Sequence, residues 1–172
     1  MSKPPRALKA AEALKALLSR PPALTLAVAE SLTAGHVQAR VAAVSGASSY
    51  FLGGITAYSL DQKVTHLGVD RVTARRVNSV SAAVAEQMAR GVCALFGSDL
   101  GLATTGYAEP SPESGVAVPF AWWAAAWRRK RGAFELRHGR VECPGASRGD
   151  AQVMVAEAAL AELVEWLRDV RG

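Results

Sequence analysis

The sequence predicts an α/β protein: one layered domain over residues 1–172, with a mixed β-sheet flanked by helices. Three observations carry the prediction. Short apolar runs suited to buried strands alternate with longer segments of helical periodicity. In the second half, two apolar runs flank a basic turn and read as an antiparallel hairpin, so the sheet mixes strand directions. A chain of 172 residues that is 50% hydrophobic suits a single continuous core.

The elements follow in order. Leu8, Ala11, Leu14, Leu17 and Leu18 fall at helical spacing, giving a first helix over residues 6–19, within an N-terminal segment 1–20 that Pro21 and Pro22 close. The core of the domain is expected over residues 24–170. Residues 24–29 read as a buried strand, and Glu30, Ser31, Leu32 and Thr33 turn it into a helix reaching about Val44, with Ser31 or Thr33 as a good N-cap. Residues 50–59 form a second strand, interrupted at Gly53-Gly54. A short helix spans residues 61–67 and stops at Gly68; Ser81 opens a helix to about Phe96. Residues 100–104 make another buried strand, from which Thr104-Thr105-Gly106 turns into a loop rich in Pro, Ser and Glu. Residues 118–127 and 133–141 form the hairpin, and an amphipathic helix over 147–167 closes the fold.

Composition narrows function. No run approaches the ~20 apolar residues of a membrane span, and the first residues lack the apolar stretch of a signal peptide, so a cytoplasmic protein is expected. Cys93 and Cys143 have neither metal-site nor disulfide spacing, and His36, His66 and His138 are scattered. No phosphate loop or dinucleotide fingerprint is present. The net charge of +5 has one dense cluster, Arg128 to Arg131, which reads as a solvated turn; nucleic-acid binding is the weaker reading.

Three segments follow predicted strands: Glu30 to Thr33, Tyr58 to Lys63, and Thr104 to Gly106. If those strands run together in one sheet, their ends gather a Ser, a Lys, a Tyr and several small hydroxyls at one edge. Such a group suits nucleophilic amide hydrolysis, in which a neutral Lys takes the Ser proton. Burial disfavours ammonium and prepares the Lys for that role, while backbone N–H groups after Ser31 are placed to receive the oxyanion. Each segment also has a simpler structural reading, as a cap, a packing site or a solvated surface.

Segment by segment, the chain resembles the CinA C-terminal-domain family, the nicotinamide-nucleotide amidases. Ala29-Glu30-Ser31-Leu32-Thr33-Ala34-Gly35 is similar to A-E-S-x-T-G-G, Ser45-Gly46-Ala47-Ser48 to P-G-S-S, and Gly53-Gly54-Ile55-Thr56-Ala57-Tyr58-Ser59 with Lys63 to G-G-x-x-x-Y-S-x-x-x-K. Leu67-Gly68-Val69, Val80-Ser81, Asp99 to Ala103 and Thr105-Gly106 follow in family order. The resemblance implies a Ser-Lys amidohydrolase, free of metal and cofactor, that converts nicotinamide mononucleotide to nicotinic acid mononucleotide and ammonia. Ser31 would be the nucleophile, Lys63 its base and Tyr58 a hydrogen-bonding neighbour. Thr33, Gly35, Ser48, Gly54, Thr105 and Gly106 would shape the substrate pocket, and Arg148 would meet the phosphate.

Departures cluster late. Ala34 replaces a Gly, Glu109 stands where the family has Gly, and Val118-Pro119-Phe120 replaces V-G-T. A carboxylate at Glu109 would repel a nearby phosphate. These changes motivate a second class of function, a paralogue without turnover that binds a nucleotide or a partner protein. Phe120, Trp122 and Trp123 read as core packing or an oligomer face, and a homo-oligomer is expected.

Overall fold

The computed structural model describes residues 6–171. The side chain of Leu8, and the ends of the expected segments at residues 1–5 and 172, lie outside what is described. The elements are α1 (Arg6–Leu18), β1 (Leu26–Glu30), α2 (His36–Ala42), β2 (Phe51–Thr56), α3 (Leu60–Leu67), α4 (Arg71–Arg76), α5 (Ala82–Phe96), β3 (Leu100–Tyr107), β4 (Phe120–Arg128), β5 (Phe134–Glu142) and α6 (Arg148–Arg171). They form a mixed five-stranded sheet in the order β2-β1-β3-β4-β5, flanked by helices. β1 lies parallel to both β2 and β3, whereas β3, β4 and β5 are an antiparallel meander.

Alternation along β1 and β3 explains the layers. Leu26, Val28, Leu100 and Leu102 face α1, α2 and α6, whose Leu14, Val37, Leu160 and Leu163 complete a core of large side chains. Ala27, Ala29 and Ala103 face the other way, toward Val84, Ala85, Met88 and Ala89 of α5. Small residues let α5 lie close. A Cβ at Gly101 would fall 2.1 Å from the Ala89 carbonyl oxygen, and one at Gly91 would fall 2.0 Å from that of Leu67. Of the hairpin aromatics, Trp123 takes the core-packing alternative and Trp127 is buried with it, packing edge-on against Trp166, while the half-buried Trp122 meets the ring of His138. In the basic turn, Arg129 lies over Trp127 and pairs with Glu135 at 2.5 Å.

The structure corrects four sequence expectations. Gly53-Gly54 does not interrupt β2; the strand runs through with a register shift opposite Leu26/Ala27, and a side chain at Gly54 would strike Gln38 and the Val28 carbonyl. β3 continues past Thr104 to Tyr107 because β4 pairs with it to the end, Gly106 admitting the backbone of Phe120 and Ala121. The helix after Ser31 begins only at His36, since Ala34 and Gly35 take left-handed conformations (φ 47° and 100°). Finally, α4 is an additional helix, capped where Asp70 accepts from the Thr73 N–H at 2.8 Å.

Candidate active site

The three parallel strands end side by side, and a cleft of about 460 Å³ opens at their carboxyl ends. Ser31 and Leu32 come from the turn after β1, Tyr58 and Lys63 from the segment after β2, and Thr105, Gly106 and Tyr107 from the end of β3. Arg148, at the start of α6, and Glu109 stand at the rim.

Lys63 is the unusual side chain. It is 2% exposed, yet no carboxylate pairs with it among the described residues. Its Nζ donates to Ser31 Oγ at 3.0 Å and to the Tyr58 carbonyl at 3.0 Å. Burial pushes its pKa from an ordinary 10.5 down to about 8, bringing the neutral amine within reach near physiological pH. Helix α3 holds it there: Ser59 caps the helix by accepting from the Gln62 N–H, and Gly68 ends it in a left-handed conformation.

The turn that carries Ser31 is held by its neighbour. Glu30 is fully buried, and its carboxylate accepts from the N–H groups of Gly35 (3.0 Å), Val37 (3.1 Å) and Gln38 (2.9 Å), a cap on α2 supplied from the strand before it. Every donor from Ser31 to Gln38 can be followed. Ser31 N–H bonds the Thr104 carbonyl, Ala34 that of Ser31, and His36 that of Thr33. The N–H groups of Leu32 and Thr33 alone have no acceptor among the described residues, although both residues are buried. Buried backbone donors normally have a partner, and of these two Leu32 lines the cleft beside Ser31, so its unpaired N–H suits an oxyanion receptor.

Of the residues expected in the pocket, Ser31, Tyr58, Lys63, Thr105, Gly106 and Arg148 line it together. Thr105 Oγ1 donates to the Ser79 carbonyl at 2.7 Å and ties β3 to the loop after α4. Thr33, Gly35, Ser48 and Gly54 stand outside the lining. Thr33 Oγ1 shares a hydrogen bond with Thr104 Oγ1 at 2.7 Å, Gly35 supplies the φ the turn needs, Ser48 is exposed near the far end of β2, and Gly54 packs on Gln38 and Val28. Neither Ser31 nor Thr33 caps α2, because Glu30 takes that place. The Glu30 role was missed, as were Asn78 and Ser79, two consecutive left-handed residues at the cleft edge whose Asn78 Nδ2 donates to the Tyr107 hydroxyl at 2.9 Å. Among the described residues, no group of three or more His, Cys, Asp or Glu side chains could hold a metal ion.

The CinA C-terminal domain family model matches residues 8–167. The chain belongs to the CinA C-terminal domain family. This CinA domain is 41% identical over 150 residues to a CinA-like protein of Chlorobium limicola, covering 87% of the chain and 35% of that relative. It is 52% identical over 87 residues to a putative competence-damage inducible protein of Desulforudis audaxviator, covering 51% of the chain and 21% of the relative. The CinA domain thus spans about a third or less of the length of these curated relatives. Solved structures agree on the fold. A competence/damage inducible protein from Agrobacterium tumefaciens superposes with a TM-score of 0.83 at 25% identity, covering 98% of this chain and 99% of that one. A CinA superfamily protein from Enterobacter cloacae gives a TM-score of 0.83 at 26% identity, with 97% and 95% covered. No helix among the described residues is long and apolar enough to cross a membrane.

Proposed function

We propose that this CinA domain hydrolyses the carboxamide of nicotinamide mononucleotide, releasing ammonia, with Ser31 as nucleophile and Lys63 as general base. The observation that carries the reading is the buried Lys63 amine 3.0 Å from Ser31 Oγ, its pKa lowered to about 8. Neutral Lys63 takes the Ser31 proton as Oγ attacks the amide carbon, and the N–H group of Leu32, which lines the cleft beside Ser31, receives the oxyanion. Collapse breaks the C–N bond, and the Lys63 ammonium returns the proton to the departing nitrogen, which leaves as ammonia. Water then attacks the Ser31 ester; Lys63 takes one proton from that water and returns it to Ser31 as the ester C–O bond breaks, and the acid product releases its remaining proton to solvent to become the carboxylate. So written, the reaction calls on no metal and no cofactor. The Tyr58 carbonyl fixes Nζ throughout.

Ammonia release from nicotinamide mononucleotide by the purified protein tests the reading. Ser31→Ala is expected to lower kcat by at least about a thousandfold with the fold intact; equal rates for the two proteins would discard it. The same reading places the enzyme in the cytoplasm. A homo-oligomer is proposed from the sheet edge: β2, Phe51–Thr56, is an edge strand without charge or proline, with Leu52 exposed. Light scattering on the purified protein checks it, and a monomeric mass at working concentration refutes it.

A further inference from the structure

Amide hydrolysis by Ser31 and Lys63 makes no use of one arrangement at the cleft rim. Arg148 donates from one terminal guanidinium nitrogen to the Glu109 carboxylate and from the other to the Tyr58 hydroxyl at 2.6 Å. A guanidinium in a cleft is suited to bidentate capture of a carboxylate or phosphate. Here a carboxylate of the chain itself stands in that place. The other charged groups lining the cleft are Lys63, neutral in its working form, Arg75 and Glu113, whose carboxylate accepts from Ser111 Oγ at 2.5 Å. At the rim two guanidiniums therefore face two carboxylates and offer a phosphate dianion no cationic excess; the remaining lining cation, the Lys63 ammonium present below about pH 8, is buried at the floor.

We propose that Glu109 is a specificity-determining residue: by engaging Arg148 it withholds that guanidinium from an anionic substrate group. The cleft accordingly favours a carboxamide borne by an uncharged or cationic nucleoside over the same carboxamide carrying a phosphate. The proposal rests on the amidase reading for its substrates, but it can be read by binding alone. Both side chains of the pair are substantially exposed, 46% for Arg148 and 59% for Glu109, so their competition with a phosphate is screened by salt and can be exchanged without disturbing the core.

The experiment compares nicotinamide riboside with nicotinamide mononucleotide. Ammonia release gives kcat/KM for wild type and Glu109→Gln at low and high salt; calorimetry gives Kd for the same two compounds on Ser31→Ala and Ser31→Ala/Glu109→Gln. Expected is a mononucleotide-to-riboside ratio of kcat/KM, and of association constants 1/Kd, that rises about tenfold on Glu109→Gln, through KM and Kd rather than kcat, and by less at high salt. A ratio that stays put or falls in both measurements overturns the proposal. If the binding ratio shifts while no protein releases ammonia, the amidase reading fails and the specificity role of Glu109 stands. Glu109→Ala serves as a second variant with the same expectation.

Discussion

Lys63, at the floor of the cleft, is 2% exposed, while the Arg148 and Glu109 side chains at its rim are 46% and 59% exposed. The two places treat charge differently. At the floor a cation is kept without a counter-ion, so burial itself lowers its pKa, and the nearest carboxylate in sequence to the nucleophile, Glu30, is occupied by three backbone donors. At the rim Arg148 and Glu109 are exposed partners of each other, and water or a ligand can replace either. Chemistry set by burial tolerates no exchange of partners; selectivity set by exposed pairs is open to change. The family-like residues Ser31 and Lys63 lie at the floor, and the departure at Glu109 lies at the rim.

Lys63→Met should have the largest effect. It removes the proposed base while preserving much of the buried volume, and kcat is expected to fall by at least about a thousandfold. In wild type, kcat/KM should rise with pH and level off above about 8, the value to which burial lowers Lys63. Stability gives an independent check. Between about 8 and 10.5 the unfolded chain binds the Lys63 proton more than the folded one, so wild-type stability rises across that window; below 8 the cost of burying the ammonium is fully present. Lys63→Met should therefore melt no lower than wild type at pH 7, with its relative advantage shrinking toward pH 10. A much lower melting temperature at pH 7 would mean that the amine's two hydrogen bonds outweigh its burial.

Glu30→Gln comes next. The amide keeps the volume but turns an NH2 group toward backbone N–H donors, which should cost about 2–3 kcal/mol in denaturant unfolding. Because the turn positions Ser31 and the free N–H group of Leu32, kcat should fall about tenfold or more with KM little changed. An unchanged kcat beside lost stability would show that the turn keeps its shape without the carboxylate, and the floor would be less rigidly built than its hydrogen bonds indicate.

Periodicity and turn residues made most of the fold legible. The helix from Ser81 to about Phe96 has a capping Ser, an apolar stripe and a terminal Gly, all local signals, and the structure has it at Ala82–Phe96 with Ser81 as its cap. The convergence of the three segments was also readable, since each follows a strand and parallel strands end together. The errors arose where a distant partner decides local structure. β3 runs to Tyr107 because β4 accompanies it, and α2 starts late because a carboxylate from β1 caps it in place of the nearby hydroxyls. The short α4 did have a local signal, Asp70 at its N-cap, which was overlooked. Ser48 and Gly54 were grouped with the site by motif order, but they lie elsewhere because sequence order does not fix which end of a strand a residue occupies.

The contact between Gly91 and the Leu67 carbonyl, a feature of helix packing one turn along α3 from Lys63, also has a mechanical meaning. It is the stop against which α3 rests, and α3 carries Lys63. A single methyl group added by Gly91→Ala cannot fit at 2.0 Å and must push the two helices apart, carrying the amine away from Ser31. The separation of base and nucleophile is thus gauged at the C-terminal end of α3. In this fold a shim one carbon thick, placed behind the helix, should detune the reaction more than its effect on stability would suggest, as kcat and melting temperature measured on that variant would reveal.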